Sequence, residues 1–67
     1  MVKVTHHAIA RYRERHVPQA STIDATAHIR RIAKSAPGWV NRSTWYENGI
    51  GVCIVRTGST RHVVTVV

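Results

Sequence analysis

The hydrophobic and polar positions change their period once along the chain, near Trp39. Before that point apolar residues recur every three to four positions, which is typical of amphipathic helices. Thr5 is a candidate N-cap for a first helix that ends at Arg15 or His16. Val17 precedes a proline, and the residue before a proline avoids helical backbone angles, so the helix is expected to stop there.

A second helix is predicted from Ser21 to Ser35. Ser21 and Asp24 form a capping-box-like start, with aspartate in place of the usual glutamate or glutamine. At about 100° per residue the apolar positions fall on one side, and this set is Ala25, Ile29, Ile32, Ala33 and Ala36. The opposite side is basic, so we expect an amphipathic helix with its cations in solvent.

From Trp39 onward the period is two, and β-branched and aromatic residues dominate. Asn48-Gly49, between Ser43–Glu47 and Ile50–Arg56, is a strong hairpin signal, and a second turn leads into Arg61–Val67. We therefore predict an α+β fold in a single domain of residues 1–67, with two N-terminal helices packed on a three- to four-stranded antiparallel meander. A fourth, short strand is predicted either at the N-terminus or near Trp39.

Charge narrows the class of partner. The chain has ten Lys and Arg residues and three Asp and Glu residues, which gives a formal charge of +7. Eight of the ten cations are arginine, whose planar guanidinium matches the geometry of phosphate. A polyanion is the expected partner, with nucleic acid ahead of an anionic membrane surface or an acidic protein. The single cysteine, Cys53, excludes an internal disulfide. Because no apolar run approaches the about 20 residues that span a bilayer, we expect a soluble, cytoplasmic protein with no membrane partner.

Candidate chemistry gathers on the first helix. His7, Arg11 and Arg15 recur at i, i+4 and i+8 and form one stripe, with Glu14 on its flank. An imidazole can transfer protons near neutral pH, and arginines can stabilise a crowded phosphorane, so this pattern suits metal-independent cleavage of RNA. An alternative is a solvated basic face in which Glu14 pairs with its arginine neighbours.

The other histidines have more ordinary interpretations. His6 is expected to be an exposed neighbour of the helix cap, His16 a packed or helix-terminal residue, and His28 a surface residue. Five histidines and one cysteine are enough to bind a metal ion, but none has a recognised ligand spacing. We therefore expect no metal site and no cofactor.

The string HAIARYRER, from His7 to Arg15, resembles the opening of small bacterial and phage domains that begin His-Ala-x-x-Arg-x-x-x-Arg and end in a Val-Thr-Val-like strand, here residues 64–66. These domains are related to RelE/BrnT-like toxins and to polymorphic-toxin nucleases of the barnase–EndoU–colicin–RelE type. Many of those are metal-independent ribonucleases. The resemblance implies that His7 transfers protons, that Arg11 and Arg15 bind phosphate, and that Thr65 lies near the same pocket.

The resulting prediction is a toxin-like endoribonuclease whose partners are RNA, in association with the ribosome, and an antitoxin or host protein. Its expected contacts to nucleic acid are five further cations, Arg13, Arg30, Arg31, Lys34 and Arg61. By strand alternation, Arg61 is expected on the same face as Thr65. An alternative is a non-catalytic phage or mobile-element protein that binds nucleic acid or inhibits a host protein. A third interpretation places Trp39 and Trp45 at an interface with a partner or in a homodimer.

Overall fold

Six elements follow one another along the chain in a computed structural model that describes residues 1–67. They are β1 (Val2–Val4), α1 (His6–Arg15), α2 (Thr22–Ser35), β2 (Ser43–Glu47), β3 (Ile50–Thr57) and β4 (Thr60–Val66). The four strands form one sheet in the order β1-β4-β3-β2. The α+β class is confirmed, and the fourth strand is the N-terminal one.

The sheet is mixed and not wholly antiparallel, which corrects the prediction. Strands β2, β3 and β4 form the expected antiparallel meander, but β1 pairs in parallel with β4. The Arg61 N–H donates to the Met1 carbonyl at 2.8 Å, and the Thr5 N–H donates to the Val63 carbonyl at 3.2 Å. A three-residue strand carries no signal for the direction of a partner that lies 59 positions away, so the pattern of β1 alone did not reveal this pairing.

Both predicted helix starts are confirmed. The Thr5 hydroxyl accepts a hydrogen bond from the Ala8 N–H at 3.1 Å and donates to the Val63 carbonyl at 3.1 Å, so one side chain caps α1 and fastens it to β4. The Ser21 hydroxyl accepts from the Asp24 N–H at 3.0 Å. Such caps each contribute about 0.5–2 kcal/mol to helix stability.

The predicted hairpin joins β2 to β3. Asn48 and Gly49 both have positive φ, at 51° and 81°, as the tight turns that match strand twist require. The turn places Trp45 opposite Val52 and Tyr46 opposite Gly51. This register sends Trp45 toward the core and Tyr46 to the other side of the sheet.

The core lies between the two helices and one face of the sheet. Fifteen buried apolar residues form it, and no polar or charged side chain is buried. The largest fully buried members are Ile29, Ile32, Val40, Val52, Ile54, Val63 and Val66. The second face of the sheet has no covering element, and we call it the open face.

A bulge in β4 changes which side chains face the core. Cys53 pairs with Thr65, but the next residue of β3, Ile54, pairs with Val63, so Val64 has no partner. Because successive strand residues alternate between faces, an unmatched residue shifts the alternation by one. Val63 is fully buried against the helices, whereas Thr65 lies with Cys53 on the open face. The expectation that Thr65 shares a face with Arg61 is therefore wrong, because Arg61 lies with Val63 on the helix side of β4.

Candidate nucleic-acid interface

The stripe of His7, Arg11 and Arg15 forms on α1 as predicted, and we call it the α1 edge. His7 and Arg15 are exposed, and the three residues span about 12 Å along the helix axis. Arg11 Nη1 donates to Glu14 Oε1 at 3.1 Å, with the two side chains 37% and 63% exposed. An ion pair this exposed contributes only about 0–1 kcal/mol, so an approaching phosphate can replace the carboxylate.

Thr65 does not join the α1 edge. It lies on the open face in a shallow groove of about 390 Å³, beside Thr44, Cys53 and Val55. Between this groove and α1 lie the sheet and its buried core residues, Val63 among them. The structure thus brings three of the four predicted catalytic residues together and leaves Thr65 on the opposite side of the sheet.

Two of the predicted nucleic-acid contacts have structural partners within the chain. Arg13 Nε donates to the Ala20 carbonyl at 2.8 Å, and its Nη2 donates to Thr22 Oγ1 at 2.9 Å, which fixes the loop between the helices. Arg61 Nη1 donates to the Ala33 and Ala36 carbonyls at 2.6 and 2.7 Å. Arg61 therefore binds carbonyls at the C-terminal end of α2, of which that of Ala33 also accepts from the Ala36 N–H at 3.3 Å, and it places its positive charge at the negative end of the helix dipole.

Two other predicted contacts, Arg30 and Lys34, line a groove of about 580 Å³ between α2 and the outer edge of β1. Lys3 joins them from β1, and together these three cations define what we call the basic groove. Arg31 does not line it, because a residue one position along a helix points about 100° away. Lys3 was not among the predicted residues. The sequence signal for Lys3 is its position between two valines, because alternate residues of a strand face opposite sides. In the structure Val2 is buried and Lys3 is exposed.

The floor of the basic groove includes the free edge of the sheet. Met1 and Thr5 use their backbone groups to pair with β4, and backbone groups alternate in direction along a strand. The peptide groups of Val2 and Val4 therefore point away from β4, toward the groove that both residues line. An unpaired strand edge offers both N–H donors and carbonyl acceptors to a ligand.

Three of the five histidines are half-buried, whereas His6 and His7 are exposed. The Tyr12 hydroxyl and His28 Nδ1 lie 2.6 Å apart, and their rings meet edge to face, so His28 joins the two helices and is not the surface residue predicted. His16 is half-buried at the end of α1, with Nε2 2.9 Å from the Val67 carbonyl, as its helix-terminal interpretation predicted. His62 is half-buried in β4. His6 and His7 are exposed, and His7 is the one that lies on the α1 edge.

No three His, Cys, Asp or Glu side chains approach one another closely enough to hold a metal ion. Cys53 is a free, half-buried thiol with Sγ 3.1 Å from Thr44 Oγ1. Neither helix has the length and apolar character needed to cross a membrane.

Comparison of the chain with models of protein families, with curated proteins and with solved structures finds no match.

Proposed function

We propose that this protein binds RNA and that the basic groove holds the phosphate backbone. The observation that carries the proposal is the grouping of Lys3, Arg30 and Lys34 around one groove whose lining contains no carboxylate. Arg30 and Lys34 lie one helical turn apart, about 6 Å along the axis, so the two can contact different phosphates. Clustered, exposed cations on one side of a small domain are the electrostatic signature of a nucleic-acid-binding surface.

The few acidic residues lie away from the basic groove. Glu14 pairs with Arg11 on α1, and Glu47 accepts a hydrogen bond from Ser35 at 3.0 Å. Asp24 lies in the first turn of α2, where it complements the positive end of the helix dipole. The one ion pair of the structure joins Arg11 to Glu14, so the groove cations have no carboxylate partner, and a polyanion that binds them would gain affinity by releasing its counterions.

The edge of β1 favours RNA over DNA. The 2′-hydroxyl is the group by which a protein distinguishes the two, and it donates readily to a carbonyl oxygen. The outward carbonyls of Val2 and Val4 lie in the same groove as the cations, so a backbone held there would present its hydroxyls to free acceptors. We propose single-stranded RNA as the substrate class, because the backbone and 2′-hydroxyls of a single strand are free to follow the cations and the strand edge that line this groove.

Fluorescence anisotropy with a labelled, unstructured RNA oligonucleotide tests this proposal directly. Lys34→Ala and Arg30→Ala should each weaken binding and lower the slope of log K against log salt by about 0.7, the value for one lost phosphate contact on a single strand. Arg31→Ala is the matched control, because it removes an exposed arginine from the same helix outside the groove. Equal effects of all three substitutions, or equal affinity for DNA of the same sequence, would contradict the proposed groove.

A second candidate function is cleavage of the bound RNA at the α1 edge. The exposed imidazole of His7, with Arg11 and Arg15 on the same stripe, supports it. In this reaction the imidazole takes the proton of the 2′-hydroxyl as that oxygen attacks the phosphorus, and the two guanidinium groups stabilise the charge of the phosphorane. The bond from phosphorus to the 5′-oxygen then breaks, and that oxygen takes a proton from water, which leaves a 2′,3′-cyclic phosphate and a 5′-hydroxyl. General acid–base catalysis by one such group contributes about 10²- to 10⁴-fold.

Cleavage is tested by incubating the protein with tRNA, mRNA and translating ribosomes in the presence of a metal chelator. Discrete products should appear with the wild type and with His6→Ala, and disappear with His7→Ala and Arg11→Ala. His6 is a matched control because it is equally exposed and points about 100° away from His7. Intact RNA with the wild type would exclude RNA cleavage by this protein. A second protein that still co-purifies with the chain after nuclease treatment would favour an antitoxin or host protein as the partner.

A further inference from the structure

Trp39 is the most exposed aromatic side chain of this protein, with 75% of its surface in solvent. It lies in the loop between α2 and β2, and its ring meets that of Trp45 edge to face, with centroids 6.3 Å apart and planes at 81°. The Trp45 Nε1–H donates to Ser35 Oγ at 3.3 Å, and this hydrogen bond holds the ring that Trp39 contacts. At this exposure at least one face of the Trp39 indole is open to a ligand.

The loop that carries Trp39 is held by hydrogen bonds and core packing at Val40 and Asn41, the two residues that follow Trp39. Val40, the next residue, is 1% exposed in the core, and its N–H donates to the Pro37 carbonyl at 3.1 Å. The Arg56 N–H donates to Asn41 Oδ1 at 2.9 Å, which holds the loop against β3. Because the backbone that carries the indole is already held in place, the loop would lose little conformational entropy when a ligand binds to Trp39.

Contacts within the chain connect this loop to the basic groove. Lys34 lines both the basic groove and a second, smaller groove of about 180 Å³ that Arg61 also lines. Arg61 Nη2 donates at 2.9 Å to the first carbonyl of the loop of residues 37–42, and Arg56 Nη1 donates at 2.6 Å to the second. Lys34, Arg61 and its strand neighbour Arg56 thus connect the basic groove to the loop that carries Trp39, with Arg61 holding the loop and Arg56 exposed beside it.

We infer that Trp39 is a stacking platform for an unpaired base of the RNA whose phosphates lie in the basic groove. This inference rests on the proposed function and adds to it the recognition of a base. Every base has a π-face, so stacking on an indole binds single strands with little sequence preference. The exposed guanidinium of Arg56, bonded to the residue before Trp39, is placed to contact the phosphate of the stacked nucleotide.

A second copy of this chain, or another protein, is the rival occupant of this surface. Tryptophan is common at the centre of protein interfaces, where it fills a desolvated pocket of the partner. Apart from Trp45, however, the exposed side chains close to Trp39 in the fold are polar or cationic, with Asn41 and Arg42 exposed in the loop and Arg56 exposed on β3. An aromatic ring bordered by arginines suits a ligand that combines a flat ring with negative charge.

The test compares RNA with heparin, a polyanion that has no bases. Trp39→Ala should weaken binding of an unstructured RNA oligonucleotide by about 5- to 150-fold and leave heparin affinity unchanged, while Trp39→Phe should keep most of the RNA affinity. The Trp45→Phe variant leaves Trp39 as the sole tryptophan, so its fluorescence should be quenched when RNA is added and not when heparin is added. Circular dichroism checks the fold of each variant.

The outcomes separate this inference from the proposed function. Equal RNA affinity of the wild type and Trp39→Ala would overturn stacking and leave the basic groove standing. An effect of Trp39→Ala without any effect of Arg30→Ala or Lys34→Ala would support stacking and overturn the groove. Failure of the wild type to bind RNA would overturn both. Concentration-dependent sedimentation that Trp39→Ala abolishes would assign the surface to self-association and overturn stacking.

Discussion

Arg61 offers the sharpest separation between a structural and a nucleic-acid-binding role. Its sequence context predicts a phosphate contact, whereas its guanidinium makes three hydrogen bonds to the carbonyls of Ala33, Ala36 and Pro37 at 2.6–2.9 Å. These carbonyls lie at and just after the end of α2. We therefore predict that Arg61→Ala acts mainly on the stability of the fold.

The expected loss follows from the contacts. A hydrogen bond from a charged donor contributes about 1.5–3 kcal/mol. Arg61 is half-buried, so water replaces part of what is lost, and the lower value counted once for each of the two donating nitrogens gives about 3 kcal/mol. A domain of this length has a total stability of about 3–10 kcal/mol. At about 4–8 °C for each kcal/mol, the midpoint of thermal unfolding should fall by about 12–24 °C.

Thermal and urea unfolding followed by circular dichroism measure this change. Arg61→Lys should recover part of the loss, because an ammonium keeps the charge at the helix end but cannot reproduce the planar fork. Arg31→Ala, which removes an exposed arginine from α2, should stay within about 0.5 kcal/mol of the wild type. The structural role is refuted if Arg61→Ala unfolds like the wild type while lowering the salt slope of RNA binding.

Three further changes test other features of the structure. Gly51→Ala should cost about 1–3 kcal/mol in urea unfolding, because a Cβ there would lie 2.6 Å from Tyr46 Cε2, 2.7 Å from Val67 Cγ2 and 2.8 Å from Thr44 Cγ2; a variant as stable as the wild type would contradict this crowding. Tyr12→Phe should cost about 1 kcal/mol by removing the hydrogen bond to His28, and a neutral result would show that this bond does not hold the helices together. Thr65→Ala should leave RNA binding and cleavage unchanged because Thr65 lies on the open face; a loss of either in a folded variant would place Thr65 in the site after all.

The sequence by itself determined the features that depend on near neighbours. The caps at Thr5 and Ser21 and the positive-φ turn at Asn48-Gly49 follow from interactions within four residues, and all three form as predicted. The buried side of α1 and its exposed edge follow from helical spacing alone. Local periodicity also identified the α+β class, because the change from a period near 3.6 to a period of two is visible in the chain itself.

Only the tertiary structure decided which distant residues meet. The parallel pairing of β1 with β4 joins residues 59 positions apart, and the bulge at Val64 depends on the register against β3. One unmatched residue moved Thr65 to the open face, and the approach of α2 to β4 gave Arg61 the helix carbonyls as partners. The basic groove is likewise a product of packing, since Lys3 reaches Arg30 and Lys34 only when β1 takes its place at the sheet edge. The type of a side chain determines which hydrogen bonds and charges it can supply. Packing determines whether its donors bind to groups inside the protein or remain free to bind a ligand.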